Sequence, residues 1–335
     1  LPDSALPEAQ AYPGGVERMR FHIESALSSH QARFGRVPAG MWPAEGAIST
    51  AALSLFAKQG LRWAASGEGV LVNSLRKSGE ALPDRADYLY RPYVSGDPGA
   101  PIHCFFRDDH LSDLIGFEYS KWYGRDAVTN FVRELEGILN RAPATENPVV
   151  SVILDGENAW EYYPYNAYYF LSELYEALSA HPDIRMTTFD EYLREQAAGT
   201  EGGAQPGQLP KVFSASWVFG NLATWIGDRE KNRAWDLLCA AKQSYDLVMA
   251  SERLSEQERR AASKQLADCE SSDWFWWFGD YNPSHSVATF DVLFRANLRH
   301  LYQHLQLPIP VALEQAISHG GSASVEAGGA MRRGS

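Results

Sequence analysis

The stretch Val149-Val150-Ser151-Val152-Ile153-Leu154-Asp155-Gly156-Glu157 joins an apolar run to a turn that carries two acids. The run is rich in β-branched residues, which is typical of a buried strand in a parallel sheet. In α/β folds, the loops at the carboxyl ends of such strands meet in a common crevice. Asp155 would therefore lie where the aromatic residues that follow it could partly desolvate a general acid. The alternative is a plain surface turn, because Asp-Gly is a common turn pair.

A second acid occurs in the same setting, in the segment Gly40-Met41-Trp42-Pro43-Ala44-Glu45-Gly46. Helix-like stretches, residues 16–34 and 47–59, lie on either side of it. The flanking proline and glycine predict that Glu45 occupies a corner between a strand and a loop, beside a tryptophan. Two carboxyl groups at one end of a sheet, among aromatic rings, suit glycoside cleavage. One protonates the leaving oxygen, and the other attacks the anomeric carbon or activates water.

Three segments, in this order, resemble glycoside hydrolase family 57 in its amylopullulanase-like branch. They are Met41-Trp42-Pro43-Ala44-Glu45-Gly46, then Asp155-Gly156-Glu157-Asn158-Ala159-Trp160-Glu161-Tyr162-Tyr163, and then Ser272-Asp273-Trp274-Phe275-Trp276-Trp277-Phe278-Gly279-Asp280. The resemblance implies that Glu45 is the nucleophile and Asp155 the general acid/base of a retaining enzyme that acts on α-glucans. It also implies that the third segment is an aromatic wall of the sugar cleft. We expect neither a cofactor nor a metal ion.

The likeness covers roughly residues 12–306, but one motif of the family is missing. The family's enzymes begin with a strand that bears His-Gln-Pro. Here the only His-Gln pair is His30-Gln31, which precedes Ala32 and lies in a predicted helix. We therefore interpret the chain as the later part of a catalytic domain.

Strand-like and helix-like segments alternate over residues 1–195. This rhythm predicts an α/β fold with a partial or complete (β/α)7-type parallel barrel that carries the catalytic carboxylates. The Gly/Pro-rich residues 196–210 are interpreted as a linker, residues 211–308 as a helical region that completes the sugar cleft, and residues 309–335 as a disordered tail. The predicted strands are Gly40–Trp42, Arg62–Ala65, Tyr88–Tyr93, Ile102–Phe106, Val149–Leu154 and Ile184–Thr187.

Further polar and aromatic residues are candidates for binding the substrate. They are Trp42, Arg107, Asp109, His110, Glu157, Trp160, Trp217, Asp273, Trp274 and Trp276. Arg107 could orient a carboxylate, while Asp109 or His110 could bind sugar hydroxyls. The alternative for this group is structural: Asp108 or Asp109 would cap a helix, and Arg107 would form an ion pair.

Other residues compete for catalytic or structural roles. Glu68 follows the predicted strand Arg62–Ala65, which makes it the chief rival of Glu45 as the nucleophile. Trp225 and Trp235 are expected to be core residues rather than sugar-binding ones.

The net charge of −12 argues against a nucleic-acid-binding protein and is compatible with a neutral polysaccharide substrate. No apolar run is long enough to predict a membrane span. No signal region precedes the first helix, so we expect a cytoplasmic protein. Three widely spaced cysteines predict no disulfide framework, and the sequence does not predict an oligomeric state.

Two other functions stay open at this point. The first is a metal-dependent polysaccharide deacetylase, suggested by His103, Asp108, Asp109 and His110, although the usual pair of histidines four residues apart is absent. The second is a non-catalytic or partner-dependent glucan-binding fragment, because an incomplete barrel leaves unpaired sheet edges.

Overall fold

The computed structural model describes residues 6–79, 82–97, 99–142, 147–156, 159–199 and 203–322. Within these ranges the chain forms two compact units. The sheet unit comprises residues 26–221, and the helical unit combines residues 6–25 with residues 222–322.

The sheet unit contains five strands: β1 (Gly40–Met41), β2 (Trp63–Gly67), β3 (Tyr93–Asp97), β4 (Ala100–Arg107) and β5 (Gly207–Gln208). Their order in the sheet is β1-β2-β4-β3-β5. Strands β1, β2 and β4 run parallel to one another, β3 is antiparallel to β4, and β5 is parallel to β3. The result is a mostly parallel sheet, as the alternation of segments predicts.

Close packing at the centre of this sheet explains its sequence. Ala64 in β2 and Ile102 in β4 are fully buried, as befits strands covered on both faces. Gly40 in β1 lies directly against the indole of Trp63, and a Cβ at this position would come within 2.0 Å of that ring. Only glycine permits this approach of β1 to β2.

The helices of the sheet unit lie between and after the strands. They are α2 (Thr50–Lys58), α3 (Glu68–Lys77), α4 (Arg85–Tyr88), α5 (Asp109–Asp113), α6 (Gly124–Arg141), α7 (Tyr168–Ala180) and α8 (Phe189–Ala198). Helix α1 (Gly15–Phe34) precedes them and is divided between the two units after residue 25. Helix α2 begins at Ser49, whose Oγ accepts a hydrogen bond from the backbone N–H of Ala52. It buries Leu53 and Phe56.

Three of the predicted strands differ in the structure. In place of a strand at residues 88–93, α4 ends at Tyr88 and β3 begins only at Tyr93. Strand β3 then pairs with β4 as a hairpin. Residues 149–154 run beside β4 with a single parallel bridge, Arg107 to Ser151. On either side of it, the N–H of Val149 donates to the carbonyl of Tyr90, and the N–H of Ile153 donates to Ser112 Oγ. Residues 184–187 form no strand and lie mostly exposed before α8, which Thr188 caps.

The predicted linker at residues 196–210 is part of the sheet unit. The end of α8 occupies residues 196–198, and β5 adds to the sheet through pairing with Tyr93 and Val94. The backbone N–H of Leu209 also donates to the carbonyl of Val94 at 2.9 Å. Glycine and proline therefore shape an edge of the sheet here, and the boundary between the two units falls after residue 221 instead.

The helical unit contains α9 (Arg229–Ala250), α10 (Glu256–Cys269), α11 (Asp273–Trp277) and α12 (Ser284–His304). The sequence predicts three long helices here, Arg229–Ala250, Ser255–Asp268 and Ser286–Leu305, and α9, α10 and α12 lie within two residues of these bounds. Asp228 caps α9, and Ser255 with Glu258 forms a capping box at the start of α10. Phe275, Phe278 and Phe294 are fully buried and pack together in the core of this unit.

The predicted disorder at residues 309–335 is wrong for residues 309–322. Residues 311–314 form a 3-10 turn, and Leu313 and Ile317 are buried. The buried carboxylate of Asp291 accepts the backbone N–H of Ile317 at 2.7 Å, and Arg295 pairs with the same carboxylate. This anchoring has no sign in the composition of the segment, and residues 323–335 lie outside the described residues.

A buried carboxylate also joins the two pieces of chain that form the helical unit. Glu270, just after α10, accepts hydrogen bonds from Tyr12 Oη at 2.5 Å, Arg18 Nη2 at 2.6 Å and His22 Nε2 at 2.7 Å. Burial alone would raise the pKa of Glu270, but these three partners lower it to about 2. The carboxylate of Glu270 thus ties three residues before position 25 to the end of α10.

Cys104, Cys239 and Cys269 are free and buried, in agreement with the expectation of no disulfide framework. Over the described ranges, no helix is both long enough and apolar enough to cross a bilayer.

Candidate functional site

Acidic residues follow the carboxyl ends of the parallel strands of the sheet unit. Glu45 comes four residues after β1, Glu68 directly after β2, and Asp109 two residues after β4. Asp155 follows the extended segment that runs parallel to β4 at Ser151. Because these strands share one direction, all four acids emerge at the same edge of the sheet.

Glu45 occupies a backbone conformation that few residues adopt. Its φ of 53° lies in the left-handed region, which costs roughly 1–3 kcal/mol for a residue other than glycine. The surroundings hold it there, because Ser216 Oγ donates to its carbonyl oxygen at 2.6 Å and the Trp217 backbone N–H donates to the same oxygen at 3.3 Å. The corner predicted from the flanking proline and glycine is therefore a strained turn that fixes the direction of one carboxylate.

Two tryptophans surround the side chain of Glu45. The indole Nε1 of Trp217 donates to Glu45 Oε2 at 2.9 Å. The rings of Trp42 and Trp217 meet edge to face, with centroids 4.8 Å apart. Gly46 follows with φ of 54°, and a Cβ there would come within 2.6 Å of the Trp42 ring. The carboxylate thus lies half-buried in an aromatic setting that has little room for change.

Arg107, at the end of β4, connects the segments that carry Glu45 and Asp155. Its buried guanidinium lies 5.1 Å from the ring of Trp217, the residue that binds Glu45. Its Nε donates to the carbonyl of Ile153 at 2.8 Å, two residues before Asp155. One cation therefore contacts both the tryptophan that binds Glu45 and the segment that leads to Asp155.

The remaining donors of Arg107 bind carboxylates. Nη1 donates to Asp109 Oδ1 at 2.8 Å, and Nη2 donates to Asp113 Oδ1 at 2.7 Å. Asp108 caps α5 by accepting the backbone N–H of Leu111 at 2.9 Å. These contacts favour the structural alternative for Arg107 and Asp108, since their hydrogen bonds go to protein groups.

Asp109 keeps a half-exposed carboxyl group whose proton affinity is unusual. Burial raises its pKa to about 6, in spite of Arg107, which lowers it; Glu68 and Asp113 add to the rise. Between about pH 4 and pH 6, the folded chain keeps a proton on Asp109 that the unfolded chain releases. This group therefore supports folding less as the pH rises through that window.

Glu68 is engaged in a separate ion-pair network. Arg85 binds it in a bidentate manner, with Nε and Nη2 each 2.7 Å from one carboxylate oxygen. Arg85 Nη2 also donates to Asp108 Oδ1 at 2.8 Å, and Tyr90 Oη donates to Asp108 Oδ2 at 2.9 Å. Because Arg85 binds both oxygens of Glu68, this carboxylate is poorly placed to act as a nucleophile.

Comparison with known proteins agrees with the motifs. The sequence model of glycosyl hydrolase family 57 matches residues 6–201, more than half of the chain. The chain belongs to glycosyl hydrolase family 57. No curated protein gives a significant match.

Several solved structures resemble this family 57 chain. The alpha-amylase AmyC from Thermotoga maritima has a TM-score of 0.64 at 16% identity, over 89% of this chain and 64% of that one. A branching enzyme from Thermococcus kodakaraensis has a TM-score of 0.63 at 14% identity, over 88% of this chain and 65% of that one. A 4-alpha-glucanotransferase from Thermococcus litoralis has a TM-score of 0.59 at 18% identity, over 90% of this chain and 46% of that one. The likeness confirms the predicted fold class, and the chain spans less than two thirds of each of these structures.

Other residues predicted to bind the substrate of this family 57 chain lie in varied settings. His110 is exposed, with Nε2 3.6 Å from Glu134 Oε2. Trp160 is half-buried, 5.9 Å from the ring of Tyr163. Asp155 itself is half-buried on its turn, and Glu157 lies outside the described residues.

Asp273, Trp274 and Trp276 belong to the helical unit. Asp273 is exposed at the start of α11, and Trp274 Nε1 donates to the carbonyl of Asp268 at 3.1 Å. Trp276 lies 5.7 Å from Trp225, which is buried as expected. Trp235, also expected in the core, is half-buried and stacks on Phe275. The aromatic wall of a sugar cleft stays a prediction for this segment.

Three residues that support the site, Ser216, Arg85 and Asp113, were not predicted. Ser216 holds the backbone of Glu45 across 171 residues, and Arg85 binds Glu68 from a short helix. Only Asp113 carried a signal, because it lies four residues after Asp109 and so on the same side of α5. Among the described residues, no three His, Cys, Asp or Glu side chains, including those considered for a deacetylase, are grouped so as to hold a metal ion.

Replacing Arg107 with methionine should raise the pKa of Asp109 beyond about 6, because the guanidinium is the group that lowers it. Arg107→Lys retains the charge and should give a smaller rise. Carbon NMR titration of the aspartate carboxyl groups measures both. An unchanged pKa in Arg107→Met would contradict the pairing of Arg107 with Asp109.

Proposed function

We propose that this chain carries the catalytic centre of a retaining enzyme that cleaves α-glucosidic bonds in starch-, glycogen- or pullulan-type glucans. The observation that carries the proposal is the position of Glu45, held by Trp217 at a strained corner on the sheet edge from which Asp155 also emerges. Membership of family 57 and likeness to an alpha-amylase, a branching enzyme and a 4-alpha-glucanotransferase support the choice of substrate.

In the proposed mechanism, Glu45 attacks the anomeric carbon while Asp155 donates its proton to the leaving glycosidic oxygen. The C–O bond to the leaving sugar breaks, and a covalent glycosyl ester forms on Glu45. Asp155, now a carboxylate, then removes a proton from water or from a sugar hydroxyl that attacks the same carbon and releases Glu45. Two inversions retain the anomeric configuration, and water gives hydrolysis whereas a sugar gives transfer.

The chain's own residues supply three conditions for this chemistry. The hydrogen bond from Trp217 fixes Glu45 and stabilises its carboxylate as a charged group. Arg107 binds the carbonyl of Ile153 and so steadies the segment that leads to Asp155. The rings of Trp42 and Trp217 provide flat apolar surfaces on which a pyranose ring can stack.

The test is release of reducing ends from soluble starch and pullulan, with proton NMR of the first product before mutarotation. We expect an α-anomer first, and products longer than the substrate when maltoheptaose is used if a sugar is the acceptor. A β-anomer would overturn the retaining mechanism. Absence of products together with calorimetric binding of maltoheptaose would overturn catalysis and favour the glucan-binding alternative. Neither products nor binding would overturn the choice of substrate.

A further inference from the structure

A group of exposed tyrosines follows the segment that carries Asp155. Tyr165, Tyr168, Tyr169 and Tyr175 have 78%, 66%, 60% and 56% of their surface exposed. Large aromatic side chains are normally buried to a much greater extent, so four neighbouring exposed rings indicate a binding surface. We call these four residues the tyrosine platform.

The rings of the platform are adjacent. Tyr169 makes edge-to-face contacts with both Tyr165 and Tyr168, with centroids 5.3 Å apart in each pair. Tyr168 and Tyr175 are seven residues apart on α7 and so share one side of the helix, opposite the side that buries Phe170 and its neighbours. The platform therefore extends along two turns of α7 as one surface.

The turn that begins the platform is strained and firmly anchored. Tyr165, Asn166 and Ala167 have successive φ values of 54°, 52° and 62°, although none of them is glycine. Ala167 is buried, and the buried Tyr163 stacks on Phe170 with centroids 5.2 Å apart. Surroundings that maintain three left-handed residues in a row keep Tyr165 turned outward, which is a typical association of strain with function.

The platform is continuous with the proposed catalytic segment. Tyr165 comes ten residues after Asp155, and the ring of Trp160 lies 5.9 Å from that of Tyr163, which anchors the turn. No charged side chain belongs to the platform itself, and the exposed residues Asn166 and Ser172 within it are polar and neutral. Such a surface suits a neutral polymer.

Charge and ring chemistry identify the occupant. Exposed Glu161 and Glu176 lie beside the platform and the whole chain has a net charge of −12, so an anionic polymer or membrane surface is disfavoured. Tyrosine ring faces cover the apolar faces of pyranose rings, and their hydroxyls can bind sugar hydroxyls. We propose that the tyrosine platform binds an α-glucan chain outside the catalytic centre. The choice of glucan as occupant rests on the proposed function.

The test is the retardation of the chain in native gels that contain amylose, with Glu45→Gln as the background so that the polymer is not degraded. The double variant Tyr168→Ser/Tyr175→Ser should weaken amylose binding by about two- to tenfold per ring. The matched control is Tyr123→Ser, because Tyr123 is 70% exposed but stands at the start of α6. In the active chain, the double variant should leave kcat/KM on maltotriose unchanged.

Each result decides between alternatives. The proposed role of the platform would be overturned if amylose did not retard the Glu45→Gln chain, or if it retarded that chain and the double variant equally. It would also be overturned if Tyr123→Ser weakened amylose binding as much as the double variant does. A dimer of the parent that dissociates in the double variant, with amylose binding unchanged, would assign the surface to a second copy of the chain and also overturn it. If the platform tyrosines are needed for retardation but the unsubstituted chain releases no sugar, glucan binding by the platform is supported and the proposed catalysis is not.

Discussion

Glu45→Gln is expected to lower kcat/KM on starch by roughly three orders of magnitude or more, because an amide cannot form the glycosyl ester. Glutamine retains the shape of the side chain, and its amide oxygen can still accept the hydrogen bond from Trp217 Nε1. Circular dichroism should therefore report an intact fold. The matched control is Glu17→Gln, which removes an exposed acid on α1 and should leave activity unchanged.

A comparison with Asp155→Asn separates the two roles. Without its proton donor, the variant should lose most activity on starch, whose leaving sugar needs protonation. It should lose much less on a 4-nitrophenyl maltooligosaccharide, whose leaving group departs unprotonated, whereas Glu45→Gln should fail on both. Activity of Glu45→Gln within tenfold of the parent would exclude Glu45 as the nucleophile and direct attention to Glu68 in spite of its pairing with Arg85.

Glu270→Gln is expected to lower the free energy of unfolding of the helical unit by about 3–5 kcal/mol at pH 7, because it leaves the buried Arg18 without its charged partner. The pKa of about 2 gives a similar magnitude: a group normally near 4.5 that titrates near 2 contributes about 3 kcal/mol. Urea unfolding followed by tryptophan fluorescence measures the change. Glu256→Gln, which removes an exposed pair with Arg260, should have little effect.

The same carboxylate predicts how stability depends on pH. The pKa of Glu270 is depressed on folding, so its contribution is present above about pH 4.5 and is lost as the pH falls toward 2. The stability difference between parent and Glu270→Gln should therefore shrink over that window. A difference that stays constant from pH 7 to pH 3 would contradict the role of the charge.

Local patterns predicted much of the fold. The long helices α9, α10 and α12 were predicted from their own stretches of sequence, because a helix with its caps is encoded within about 20 consecutive residues. The corner at Glu45 was also predictable from its neighbours. Residues 88–93 were misassigned, since apolar and aromatic composition does not distinguish the end of a helix from the start of a strand.

Contacts between distant residues could not be predicted. The identity of Glu45 as the favoured nucleophile depends on Trp217, 172 residues away, and on Arg85, which binds the rival Glu68. No local spacing encodes such pairs. The ordered segment at residues 309–322 was missed for the same reason, because its partners, among them the Asp291 carboxylate on α12, lie elsewhere in the sequence.

The pairing of Tyr12 with Glu270 spans 258 residues, and it fixes an order of events during synthesis. The sheet unit is one uninterrupted stretch of chain, so it can fold as soon as it leaves the ribosome. The helical unit needs both flanking stretches and cannot close until α10 has been made. Residues up to 25 can pair with Glu270 only after the chain from residue 26 to Glu270 has been synthesised. Of these two units, the helical one therefore folds later, and its completion requires that translation has passed Glu270.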